Sequence, residues 1–161
     1  MKNKKNNFLM IIAIILVLMD QIIKIVISTK LYNSTIMLIP YVLNLTYVQN
    51  TGAAFGIGSN STSMFIVVNI IVIGLITYFA FSKKEEISKS ILIALYLIIA
   101  GGISNLIDRI VRGFVIDYID ISQVIKYPVF NLADIFIVMG CIIIAIYIIK
   151  DNILKKKNVG E

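Results

Sequence analysis

Histidine is missing from this 161-residue sequence, cysteine occurs once, and only 15% of positions carry a charge. Without histidine there is no Ser-His or Cys-His nucleophile pair, no histidine-ligated zinc and no imidazole general base. The lone thiol, Cys141, stands in an apolar run where it serves as inert packing, and neither a disulfide nor a CxxC pair is available to it. The scarcity of charge argues against a soluble domain.

Apolar residues are what the chain has instead: 59% of it is hydrophobic and the mean hydropathy is +0.94. A bilayer core about 30 Å thick needs about 20 mostly apolar residues per helix. Four segments qualify, at 8–27, 63–82, 89–108 and 131–150. The formal charge of +6 does not point to nucleic acid, because ten of the fifteen basic residues flank those spans. They cluster at the N-terminus, in the 83–89 loop and at the C-terminus, places that four spans put on one side. The positive-inside rule makes that side cytoplasmic, so both termini are expected there. Lys2–Lys5 followed by an apolar run imitates a secretory signal, but three more spans follow and no small-x-small site does, so it reads as an uncleaved first helix.

The fold class is therefore an all-α integral membrane protein, one domain over 1–161, with four transmembrane helices. Tyr41–Val48 alternates in the manner of a strand, which predicts a small extracytoplasmic β-rich segment between helices 1 and 2. Gly52, Gly56 and Gly58 follow it and suit either a groove for an extended peptide or an ordinary surface loop. The second span holds only Asn69, Gly74 and Thr77 as departures from apolar character and reads as scaffold.

An acid in hydrocarbon costs at least about 2.5–3.5 kcal/mol on insertion scales, so each intramembrane aspartate needs a reason. Asp20 lies in the outer half of span one, Asp108 at the outer end of span three, and Asp134 one turn into span four. Asp117 falls between the last two in Gly113–Asp120, too apolar for a solvated loop and expected to dip against the bundle. Four acids from separate stretches thus reach one depth. Asp20 has Lys24 at i+4, and Asp108 has Arg109 and Arg112 beside it, so ion pairing is the favoured reading for both. Asp134 reads equally as a first-turn acid with Asn131 as N-cap. Asp120 reads as a solvated acid, whereas Asp117 has no basic neighbour in sequence and is the better catalytic candidate.

Two carboxylates held close share one proton, since like charges in a low-dielectric site do not both ionise. Such a pair supplies an acid and a base, enough to hydrolyse a peptide bond with no cofactor.

The blocks NTGAAFG at 50–56, GGISNLIDR at 101–109, VIDYID at 115–120 and FNLAD at 130–134 together resemble the signature of bacterial lipoprotein signal peptidase, signal peptidase II. The resemblance covers essentially the whole chain. It implies an intramembrane aspartic endopeptidase whose catalytic pair falls on Asp117 and Asp134. Asp20, Asn50, Asn105, Asp108, Arg109 and Asn131 are implied as supporting or substrate-contacting groups. Ser104 departs from the family, which has glycine before the asparagine; serine still permits close helix packing, so little consequence is expected. The implied substrate is a prolipoprotein carrying diacylglycerol on its cysteine, cut just before that cysteine. The implied setting is the bacterial cell membrane, inner or plasma, with a multi-pass chain and an extracytoplasmic active site. Membrane lipid is the expected surrounding, and no metal, cofactor, nucleic acid or obligate protein partner is implied.

Three rivals remain in view. Intramembrane acids also mark ion pathways, although a transporter would spread them across the membrane. A magnesium-dependent transferase would use Asp117 and Asp120 as ligands. A Ser-Lys protease would use a desolvated Lys24.

Overall fold

The computed structural model describes residues 2–52, 62–83 and 85–159. Gly56 and Gly58, with the rest of 53–61, lie outside them, so the choice between a peptide groove and an ordinary loop there lies outside the described residues too. Four helices form: α1 (Lys2–Lys30), α2 (Thr62–Ser82), α3 (Lys89–Arg112) and α4 (Leu132–Val159). Each is long and apolar enough to cross a membrane. The helices overrun the expected spans because polar residues continue the hydrogen-bonded turns past the apolar stretch.

The ends of α3 are set by local chemistry. Ser88 caps its start, its side chain accepting from the Ile91 N–H at 3.3 Å. Gly113, at φ +82°, closes its end, with its N–H on the Arg109 carbonyl at 3.2 Å. The helix therefore runs a turn beyond the expected 108.

Burial makes α3 the central helix. Leu92, Leu95, Tyr96, Ile99 and Ala100 form a core with Ala13 of α1 and Ala80 of α2. Ala94 and Ala100 are fully buried, and small residues let the backbones close up. A Cβ at Gly101 would collide with the Ala133 carbonyl, so glycine there lets the first turn of α4 lie directly on α3. On α2, Val67, Ile71, Leu75 and Tyr78 are all exposed, in keeping with the scaffold reading and a lipid-facing surface.

A three-stranded antiparallel sheet sits where α1 and α3 end and α2 and α4 begin. β1 (Ile36–Ile39) pairs with the central β2 (Leu43–Asn50), which pairs with β3 (Val115–Asp120). The expected β segment between helices 1 and 2 is present as β1 and β2, but the third strand comes from the stretch between α3 and α4. Its burial explains why alternation did not reveal it: Val115, Ile116, Asp117 and Tyr118 are all buried, so both faces are covered. Irregular register between Leu45 and Val48 leaves Val48 opposite Asp117 and Asn50 opposite Val115. Phe130 then bridges to Ile119, pinning the chain just before α4 to the outer edge of β3.

Candidate active site

The four aspartates expected at one depth separate into two groups. Asp20 and Asp108 belong to a closed ionic network around Lys24, and all three side chains are fully buried. Lys24 Nζ lies 2.8 Å from Asp20 and 2.9 Å from Asp108, and donates to Asn105 Oδ1 at 2.9 Å. Three donors meet three acceptors, which leaves no free electron pair for the base that a Ser-Lys mechanism requires. Asp108 also receives Arg112, Gln21 Nε2 at 3.0 Å and the Ile116 N–H at 3.1 Å. Asp20 receives the Ser104 hydroxyl at 2.6 Å and the Tyr118 hydroxyl at 3.2 Å. Two cations balance two anions, the condition under which buried charge is tolerated.

Ser104 therefore does more than allow packing, since its hydroxyl also accepts from Gln21 at 2.9 Å. Gln21 and Tyr118 had no distinguishing signal in the sequence. The pairing of Asp108 with Arg112 matches the i+4 reading, whereas Arg109 turns elsewhere.

Asp117 and Asp134 are held differently. Asp117 Oδ1 accepts from Asn131 Nδ2 at 2.7 Å and Oδ2 from Asn50 Nδ2 at 2.8 Å. Asp134 Oδ1 accepts from Asn105 Nδ2 at 2.8 Å and Oδ2 from the Asn131 main-chain N–H at 3.0 Å. All four oxygens meet amide donors, and among the described residues no ion pair reaches either carboxyl group. Asn131 joins the two aspartates, one through its side chain and the other through its backbone. It also caps α4, its Oδ1 accepting the Asp134 N–H at 3.0 Å, so Asn131–Asp134 is a reciprocal capping box. Asn131 thus precedes the helix that was expected to start with it.

Each amide is oriented by a second bond. Asn50 Oδ1 accepts the Gly52 N–H at 3.0 Å, Asn131 Oδ1 the Asp134 N–H, and Asn105 Oδ1 the Lys24 ammonium. Their NH2 groups therefore have to face the carboxylates. The ionic network thereby supports the aspartate pair through Asn105.

Asp117 is 2% exposed, and its carboxyl is pushed up from 3.8 to about 7, first by burial and then by the charge of Asp134. Asp120 goes the other way, held below its ordinary value by hydrogen bonds from Ser122. Three residues apart on a strand, Asp117 and Asp120 face opposite sides, so the structure does not assemble the paired ligands a magnesium site would use.

Both aspartates line a cavity of about 230 Å³ with Asn50, Asn105 and Arg109 on its polar side and Val129, Ile137 and Val138 among its apolar lining. Arg109 reaches the Gly52 carbonyl at 3.1 Å and lies 5.5 Å over the Phe65 ring, and among the described residues its buried Nε has no hydrogen-bond partner. The cavity therefore offers two carboxyl groups, an available guanidinium donor and an apolar wall: acid, base and a grip on a carbonyl.

Comparison with known proteins bears on that chemistry. The family model described as signal peptidase (SPase) II matches residues 12–150. A lipoprotein signal peptidase of Clostridioides difficile (strain 630) is 40% identical over 140 residues, covering 86% of this chain and 93% of its own. One from Staphylococcus aureus (strain JH9) is 37% identical over 150 residues, 91% of each chain. A solved structure described as a bacterial membrane enzyme superposes with a TM-score of 0.83 at 35% identity, covering 91% of this chain and 90% of that one.

Proposed function

The chain belongs to the signal peptidase II family and is a membrane protease, and from that premise we propose that it removes signal peptides from lipoproteins with Asp117 and Asp134 as its catalytic pair. The substrate of this reading is a diacylglyceryl-modified prolipoprotein, cut immediately before the lipidated cysteine. The observation that carries the pair is their shared Asn131 bridge: two carboxyl groups on one cavity, each held by amides rather than by a cation.

In this reading Asp117, whose carboxyl keeps its proton up to about pH 7, is the acid and Asp134 the base. Asp134 takes a proton from water as the water oxygen bonds to the scissile carbonyl carbon. The carbonyl oxygen takes the proton of Asp117. The C–N bond then breaks as Asp134 returns a proton to the leaving amine, and a hydroxyl of the gem-diol returns one to Asp117. Asp20, Asp108 and Asn105 support the pair from beneath, Asn50 and Asn131 orient it, and Arg109 directs its Nε–H to a substrate carbonyl.

The location follows from the same reading. Basic flanks at both termini and in the 83–89 loop favour cytoplasmic ends. The pair then lies at the extracytoplasmic side of a bacterial cell membrane, within one domain, where acyl chains can stay in the outer leaflet. The test is cleavage of a diacylglyceryl-modified prolipoprotein peptide by the lipid-reconstituted protein, with the cut mapped by mass spectrometry. Release of a product beginning at the lipidated cysteine is expected. Cleavage elsewhere, or equal cleavage of the unlipidated peptide, sinks the substrate assignment.

A further inference from the structure

Tyr118 follows Asp117 on β3, is 3% exposed, and packs its ring among Ile27, Leu31 and Ile116. A phenol so deeply buried in an apolar cluster needs a use for its hydroxyl. It has two: the hydroxyl donates to Asp20 Oδ1 at 3.2 Å and accepts the Leu132 main-chain N–H at 3.2 Å. Leu132 is the first residue of α4, and its N–H is one of the donors that a helix start leaves without an internal partner. The other side of the hydroxyl is anchored, because Asp20 is itself locked by Lys24 and Ser104.

We propose that Tyr118 is a positioning residue: its hydroxyl, set between the Asp20 carboxylate and the Leu132 N–H, clamps the first turn of α4 so that Asp134 stays aimed at Asp117. The inference rests on the reading of those two aspartates as the catalytic pair. Three elements meet at this one oxygen: α1 through Asp20, β3 through the tyrosine itself, and α4 through Leu132. The ion-paired network thereby reaches Asp134 by two routes, through Asn105 to the carboxyl group and through Tyr118 to the backbone that carries it.

Tyr118→Phe removes only the hydroxyl. The ring packing stays, the Phe130 bridge still ties the chain to β3, and Asn131 still caps α4, so the variant is expected to fold. The full chain in lipid, as wild type, Tyr118→Phe, Asp117→Asn and Asp134→Asn, is assayed for kcat and KM on the diacylglyceryl-modified peptide. Amide hydrogen exchange at Leu132 and the melting temperature are followed alongside. In Tyr118→Phe, kcat is expected to fall about tenfold with KM within about twofold, since misaimed reacting groups slow chemistry without weakening substrate binding. Exchange at Leu132 is expected to quicken while the rest of the chain stays protected. Unchanged kcat, unchanged exchange at Leu132, or a fall in kcat that only tracks general loosening each overturns the inference. Full kcat in Tyr118→Phe beside inactive Asn variants overturns it alone. Retained cleavage in both Asn variants overturns the reading of the pair, and this inference with it.

Discussion

Asp20 and Asp108 on one side, Asp117 and Asp134 on the other, are two acid pairs in neighbouring positions with opposite surroundings. The first pair is sealed from solvent and neutralised by Lys24 and Arg112. Among the described residues, the second meets only amides and opens on a cavity. A carboxylate matched by a cation is chemically spent, because its charge is paired and its lone pairs are occupied. One held by neutral donors beside a second acid keeps a proton to exchange. In the proposed reading, that difference separates stabilising acids from reactive ones.

The sharpest way to break that contrast is the same substitution in both pairs. Asp117→Asn or Asp134→Asn is expected to cut the cleavage rate by about 10²–10⁴-fold, the range for loss of an acid or base, with little change in melting temperature. Asp20→Asn is expected to shift the weight, lowering the melting temperature while costing far less of the rate than either. Equal behaviour of all three variants, measured by steady-state cleavage and thermal unfolding in lipid, removes the distinction.

Lys24→Met comes next. It leaves Asp20 without its cation and Asp108 with Arg112 alone, and the expected cost is about 3–5 kcal/mol. Lys24→Met combined with Asp20→Asn restores charge balance, so the double variant is expected to be more stable than the single one in denaturant titration. A double variant that is no better shows that geometry rather than charge balance governs the network.

Acidity gives a smaller, graded effect. With the Asp117 carboxyl at about 7, kcat/KM is expected to fall about tenfold per pH unit above that point, as the pair loses its shared proton. Stability has the same sign. Between 3.8 and about 7 the folded chain keeps a proton that the unfolded chain releases, so this contribution is full below that window and lost as pH rises through it. A rate that stays flat through pH 8 in a pH-rate profile contradicts the assigned acid.

Asp120 provides the smallest effect. Its partners are Ser122 at the protein's edge, through backbone and side chain, and Asn44 across the sheet, so Asp120→Asn is expected to shift stability by no more than about 0.5 kcal/mol and leave cleavage unchanged. Any large loss of activity there reopens the outer face of β3 as part of the site.

Much of this was legible from residue order. Four apolar stretches gave four helices, and the Asp20–Lys24 pair was given by its i+4 spacing, whereas for Asp108 the sequence left Arg109 and Arg112 open and the structure selects Arg112. Asn131 and Asp134 at i+3 likewise gave a cap. What stayed hidden needed three dimensions. The third strand was masked by burial of both its faces, and Lys24 meeting Asp108 depends on how α1 and α3 are packed. Tyr118 carried no local sign, since a tyrosine among Val, Ile and Asp looks like any strand residue until its hydroxyl is found between two other elements.

The two pairs also differ in the length of chain they close. Asn131 reaches Asp117 across 14 residues, whereas the Ser104 to Asp20 bond spans 84. Short-range contacts form sooner and at lower entropic cost than distant ones. On that basis the proposed catalytic pair is expected to meet first within the second half of the polypeptide, with Asn50, 67 residues from Asp117, and α1 joining later. Connectivity thus predicts an order of assembly, with the proposed cutting edge formed first and its handle tightened last.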